Sequence, residues 1–156
     1  SVLEEHVNEY FEMRPREQSP YMLLVAPVCE SKRESVNGDG TQLRGIDKLK
    51  QRRSMVPAIT HVDYSARVQT VDADRHGRYY KLMRKFEEKT GCPVIINTSF
   101  NVRGEPIVCE PEHAYRCFLG TNMDVLVIEN CVLLKEEQTS ARQTDNKAYL
   151  AEFQLD

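Results

Sequence analysis

Residues 93–106, PVIINTSFNVRGEP, constrain the fold more than any other stretch of the chain. Val94, Ile95 and Ile96 form an apolar run bounded by Gly91 and Pro93. It is too short for a helix and suits a strand buried inside an α/β sheet. The run stops abruptly at Asn97, Thr98, Ser99 and Asn101, whose amides and hydroxyls emerge where the strand ends, and Arg103 and Gly104 add a cation and a sharp turn. Ligands of open α/β sheets bind at such strand ends.

The flanking segments fill in the sheet. Leu3, Val7, Tyr10 and Phe11 recur at helical spacing behind Glu4 and Glu5, which predicts a short opening helix ended by Pro15. Residues 21–28 (YMLLVAPV) read as a buried strand whose pairing lapses at Pro27. Residues 30–41 form a polar loop with a turn at Asn37-Gly38-Asp39-Gly40, closed by the basic run 48–53. In residues 57–71, Ile59, His61 and Asp63 alternate with Thr60 and Val62, and Ala66, Val68 and Thr70 alternate with Arg67, Gln69 and Val71. That predicts two strands joined at Tyr64-Ser65. Tyr79, Leu82, Met83 and Phe86 give one apolar helical stripe ended by Gly91, and Ala114, Cys117 and Phe118 give a second, opened by Pro111 and ended by Gly120. Residues 124–128 and 131–134 read as a hairpin around Glu129-Asn130. The sum is an α/β domain with a mixed sheet over residues 1–135, followed by a polar extension over 136–156.

At 156 residues, 40% hydrophobic and 29% charged, the chain has the size and balance of one soluble domain. Its net charge of −3 supplies no field for collecting nucleic acid. No apolar run approaches the roughly 20 residues that span a bilayer. With no secretory leader in view, a cytoplasmic setting is expected. Cys29, Cys92, Cys109, Cys117 and Cys131 lack CxxC spacing, so reduced core thiols are expected rather than a zinc knuckle or redox pair. The chain opens at Ser1 in mid-pattern, which reads as a piece of something longer.

Chemistry concentrates in two places. Arg67 and Gln69 share one strand face, and His61 and Asp63 are in phase on the preceding segment, so four polar groups either line one wall or cover a solvated sheet face. Guanidinium suits phosphate or carboxylate because its planar fork donates two parallel charge-assisted bonds. His61 and Asp63 alone do not make a metal site, and none is expected. Without a P-loop or a dinucleotide fingerprint, phosphates would be held by arginines and amides. Ser99 lies in no nucleophile elbow and is expected to hydrogen-bond rather than attack.

HVDYSARVQTV (61–71) and TGCPVIINTSFNVRGEPIVCEPEHAYRCFLGTNMDVLVI (90–128) resemble the C-terminal region of NodU-type carbamoyltransferases. The opening SVLEEH resembles the continuation of that family's proline-rich stretch. The resemblance implies a YrdC-like fold, a twisted open mixed sheet with flanking helices, that makes carbamoyl-adenylate from carbamoyl phosphate and ATP. It also implies a separate N-terminal domain of the actin-like ATPase fold, which carries a metal and passes the carbamoyl group to an acceptor hydroxyl. By motif, Arg67, Asn97 and Ser99 match positions that hold the adenylate, and His61, Asp63, Gln69, Thr98, Asn101 and Arg103 match neighbouring substrate-binding positions. Glu110 stands where the family places a threonine or serine, and residues 30–41 match nothing in it. The alternatives are an RNA-binding module of the same fold, which the net acidity disfavours, and a domain that serves only to dock its N-terminal partner.

Overall fold

The computed structural model describes residues 1–34, 51–139 and 146–153. They form two compact units, Ser1–Asn97 and Thr98–Asp156.

In the first unit the chain opens with a strand, β1 (Val2–Leu3), then a single 3-10 turn and a four-residue helix, α1 (Val7–Tyr10). The expected opening helix is thus displaced by pairing. Val2 N–H donates to Gln69 O at 2.9 Å and Leu3 N–H to Pro93 O at 3.2 Å, which buries both residues completely. Strand β2 (Leu24–Pro27) runs antiparallel to β3 (Ser65–Val68), with Val25 opposite Arg67 and Pro27 opposite Ser65. After Gln69 the same segment continues as β4 (Thr70–Val71), parallel to β1. The two pairings belong to separate two-stranded sheets, so the α/β class holds while the strands of the described residues form small sheets and not one mixed sheet.

Two expectations about strands fail. Residues 59–63 are not a strand: Pro57–Ile59 is a 3-10 turn, and His61 N–H closes a tight turn onto Ser65 O at 2.8 Å. Tyr64 adopts a left-handed φ of 64° there, and Asp63 accepts from Ser65 N–H, so local capping produced an alternation that looked extended. Residues 94–96 give only an antiparallel bridge from Val94 to Val2, and Ile96 is 55% exposed rather than buried. The edge they follow is only two residues long, so pairing cannot propagate past it.

Helix α2 (Ala73–Thr90) begins at Asp72, whose side chain accepts from Arg75 N–H, bends at Gly77 (φ 33°), and ends at left-handed Gly91. Met83 is its buried anchor, packing with Leu3 and Val71, and Tyr79 and Tyr80 pack partly against this group. Leu82 is 59% exposed, so the core lies along 79, 80 and 83 rather than toward 82 and 86.

The second unit contains α3 (Pro111–Leu119), β5 (Val125–Ile128), β6 (Cys131–Leu134) and α4 (Asn146–Ala151). Ala114, Cys117 and Phe118 are the buried face of α3, as their spacing predicts, and Leu126 closes the core with Ala114 and Phe118. Glu110 makes no side-chain cap. The far end of α3 is capped by Lys135, which donates to the Phe118, Leu119 and Thr121 carbonyls. The β5–β6 hairpin forms as expected. The stretch read as a polar extension contributes α4, whose Tyr149 is 5% exposed.

Cys117 is buried, but Cys109 and Cys131 are exposed, against the expectation of core thiols. The turn at 37–40, with Lys48 and Lys50, lies outside the described residues. Arg52 of the basic run pairs with Glu34 at 2.8 Å. No helix among the described residues is long and apolar enough to cross a membrane.

Candidate functional site

Along β3, Ala66 and Val68 point into the core while Ser65, Arg67 and Gln69 alternate on the opposite face. At about 3.3 Å per residue this polar stripe runs some 13 Å from Ser65 to Gln69.

Its lower end is a closed cluster. Ser65 Oγ donates to Asp63 Oδ1 at 2.7 Å, and His61 Nδ1 lies 2.9 Å from the same hydroxyl. With the hydroxyl proton directed at the carboxylate, His61 Nδ1 is the donor to Ser65. Hydrogen bonds from the Ser65 side chain and amide hold the Asp63 carboxyl below its ordinary value. The sequence put His61 and Asp63 on a facing strand. They instead gather at the end of β3 itself.

The middle is Arg67, exposed, with Nη2 donating to Met22 O at 3.3 Å. The segment supplying that carbonyl is sewn to β4: Thr70 Oγ1 accepts from Ser19 N–H at 2.9 Å, and Thr70 N–H donates to Ser19 O at 3.1 Å. The upper end is Gln69. Its Oε1 accepts from Asn97 Nδ2 and from Ser1 Oγ, each at 2.6 Å, and its Nε2 donates to Pro20 O at 2.9 Å. The exposed Asn97 is therefore oriented by Gln69, 28 residues away in sequence.

The rest of the 97–106 motif belongs to the second unit. Thr98 and Ser99 are exposed, and Phe100 packs against the α3 core. Asn101 Nδ2 donates to Val102 O at 3.0 Å and Glu105 O at 2.9 Å, so this amide closes the turn. Arg103 and Gly104 form its exposed tip, with Gly104 at φ 87°. Val108 N–H donates to Phe100 O at 3.0 Å, joining the two arms of the loop.

Residues 1–135 match the family described as carbamoyltransferase C-terminus. The chain belongs to this family. It is 56% identical to an uncharacterised protein of Synechocystis over all of its length and 25% of that protein's. It is 38% identical to the nodulation protein NolNO of Sinorhizobium fredii, covering 86% of this chain and 17% of the relative. Nodulation protein NolO of Bradyrhizobium diazoefficiens is 35% identical over 82% of this chain and 20% of its own length. The chain thus spans a quarter or less of these curated relatives. The family match stops at residue 135, before α4.

Sequence reasoning missed Glu105, inside the family match, and Tyr149, beyond it. Glu105 Oε1 accepts from the Tyr149 hydroxyl and Oε2 from Val102 N–H at 2.9 Å. Burial pushes the Glu105 carboxyl up, but donors from Tyr149, Val102 and Cys117 outweigh it and hold it below its ordinary value. Burial and the Glu105 bond raise the Tyr149 phenol. A carboxyl lowered on folding stabilises the protein above its unfolded value and loses that contribution as pH falls through the folded one. The stability gap between wild type and Glu105→Gln is therefore expected to be full above the ordinary glutamate value of 4.5 and to narrow below it. Denaturant titrations at stepwise pH would show this; a gap that widens in acid would reverse the assignment. Glu105 could have been suspected as the acidic side chain that closes the turn onto the Val102 amide across Gly104. Nothing local pointed to Tyr149.

Proposed function

We propose that this domain forms carbamoyl-adenylate from carbamoyl phosphate and ATP, for transfer of the carbamoyl group to an acceptor hydroxyl held by another domain of the intact protein. The observation that carries the reading is the β3 stripe: an exposed guanidinium at Arg67 beside an amide pair, Gln69 and Asn97, fixed by mutual hydrogen bonding. Water takes the phosphate of carbamoyl phosphate as orthophosphate, and the resulting carbamate oxygen displaces pyrophosphate from the α-phosphate of ATP. Negative charge grows on that α-phosphate as pyrophosphate leaves, and a preset guanidinium with neutral donors stabilises it without reorganising. Arg67 would clamp the charge and Asn97 would orient the carbamoyl amide or a phosphate oxygen. Asp63, already an anion, would suit a ribose hydroxyl or substrate N–H better than a phosphate. Ser99, as a third catalytic group, and Thr98, Asn101 and Arg103, as binding groups, enter through the family resemblance. ATP is a substrate here. The metal implied by the family would belong to the N-terminal domain.

The test is pyrophosphate release by the intact protein. Release that requires ATP and carbamoyl phosphate together is expected. Turnover of carbamoyl phosphate without any release of pyrophosphate from ATP would overturn the adenylate route.

A further inference from the structure

Helix α4 lies beyond the part of the chain that the family description covers, yet it packs directly on the motif turn. Contacts from three residues, Tyr149, Glu152 and Phe153, define this docking. The Tyr149 hydroxyl bonds Glu105, whose other carboxylate oxygen holds the Val102 amide. The Tyr149 ring covers Gly120 at the end of α3, so closely that a Cβ there would collide with it. The Phe153 carbonyl, just past α4, sits on Gly104, where a Cβ would likewise collide. Arg116 of α3 pairs with Glu152 and lies 5.6 Å above the Tyr149 ring.

The turn restrained in this way is the one that carries Asn101 and Arg103. Asn101 Nδ2 and the Glu105 carboxylate both close it, and of the two the carboxylate is tied to another element. A substrate-binding loop that must present a cation at its tip gains from being fixed before the substrate arrives, because ordering it afterwards subtracts from binding.

We propose that Tyr149 is a positioning residue: acting through Glu105, it lets the C-terminal helix hold the 101–105 turn in the conformation that presents Arg103 to a phosphate-bearing substrate. The identity of that substrate rests on the function proposed above, whereas the restraint on the turn does not. The match to the Synechocystis protein extends over the whole chain, α4 included.

Tyr149→Phe in the intact protein keeps the ring over Gly120 and removes only the hydroxyl. Hydrogen exchange at the Val102 and Glu105 amides is expected to accelerate roughly tenfold or more, the effect of losing one bond to a charged group. The KM for ATP is expected to rise severalfold with little change in kcat, because a loosened turn weakens binding before chemistry. Glu105→Ala should accelerate exchange at the same amides, since it removes the acceptor of both the Val102 N–H and the Tyr149 hydroxyl. It provides the second test if Tyr149→Phe folds poorly. Unchanged exchange at 102 and 105 in a folded variant overturns the proposal. If exchange accelerates while wild type releases no pyrophosphate, the restraint stands and the assigned substrate falls.

Discussion

Arg67→Ala is expected to lower carbamoyl phosphate-dependent pyrophosphate release by about 10- to 150-fold while leaving the protein folded. The magnitude follows from losing a charge-assisted interaction with a phosphate, about 1.5–3 kcal/mol at about 1.4 kcal/mol per tenfold in rate. The fold should tolerate the change because Arg67 is exposed and its role in the chain is a bond to Met22 O at 3.3 Å. The neighbours Ala66 and Val68, which carry the core, are untouched. Arg67→Lys should recover only part of the loss, since an ammonium keeps the charge but not the planar fork. If the folded Ala variant released pyrophosphate at the wild-type rate, the charge-clamp role would be wrong.

Gly104→Ala should be the most destabilising small substitution in the motif, by about 2–5 kcal/mol in denaturant unfolding. Two independent costs combine. A φ of 87° is strained for any residue with a Cβ, at about 1–2 kcal/mol. The added carbon would also fall on the Phe153 carbonyl oxygen and 3.2 Å from its carbon, and backbone cannot swing aside as a side-chain tip can. Gly91→Ala separates the terms. Its φ of 72° imposes similar strain, yet nothing lies within 4 Å of the added carbon, so only the first cost is expected. Equal losses at the two positions would show that α4 does not press on the motif turn.

Both predictions concern residues that the sequence marked, but only the structure says why they matter. The motif itself, the helices ended by Gly91 and Gly120, the buried face of α3 and the β5–β6 hairpin were legible because each is fixed by neighbours within a few residues. The family was legible for the same reason, since its signature is a contiguous string. The errors fell where the partner is distant. The alternation at 59–63 suited a strand, but the turn cap from Asp63 to Ser65 outcompeted it. Leu3 suited the opening helix, but strand pairing beside residues 70–71 buried it and the helical turns begin at Glu4.

By itself, then, the order of residues determined which side chains could do chemistry: a guanidinium at 67, amides at 69 and 97, and a cation beside a glycine at 103 and 104. Tertiary structure alone decided how they are held. Gln69 grips Asn97 across 28 residues and Tyr149 grips Glu105 across 44. A hydrogen bond depends on distance in space and not along the chain. No local periodicity records such a bond, so only the folded chain reveals which polar groups are restrained and ready to bind.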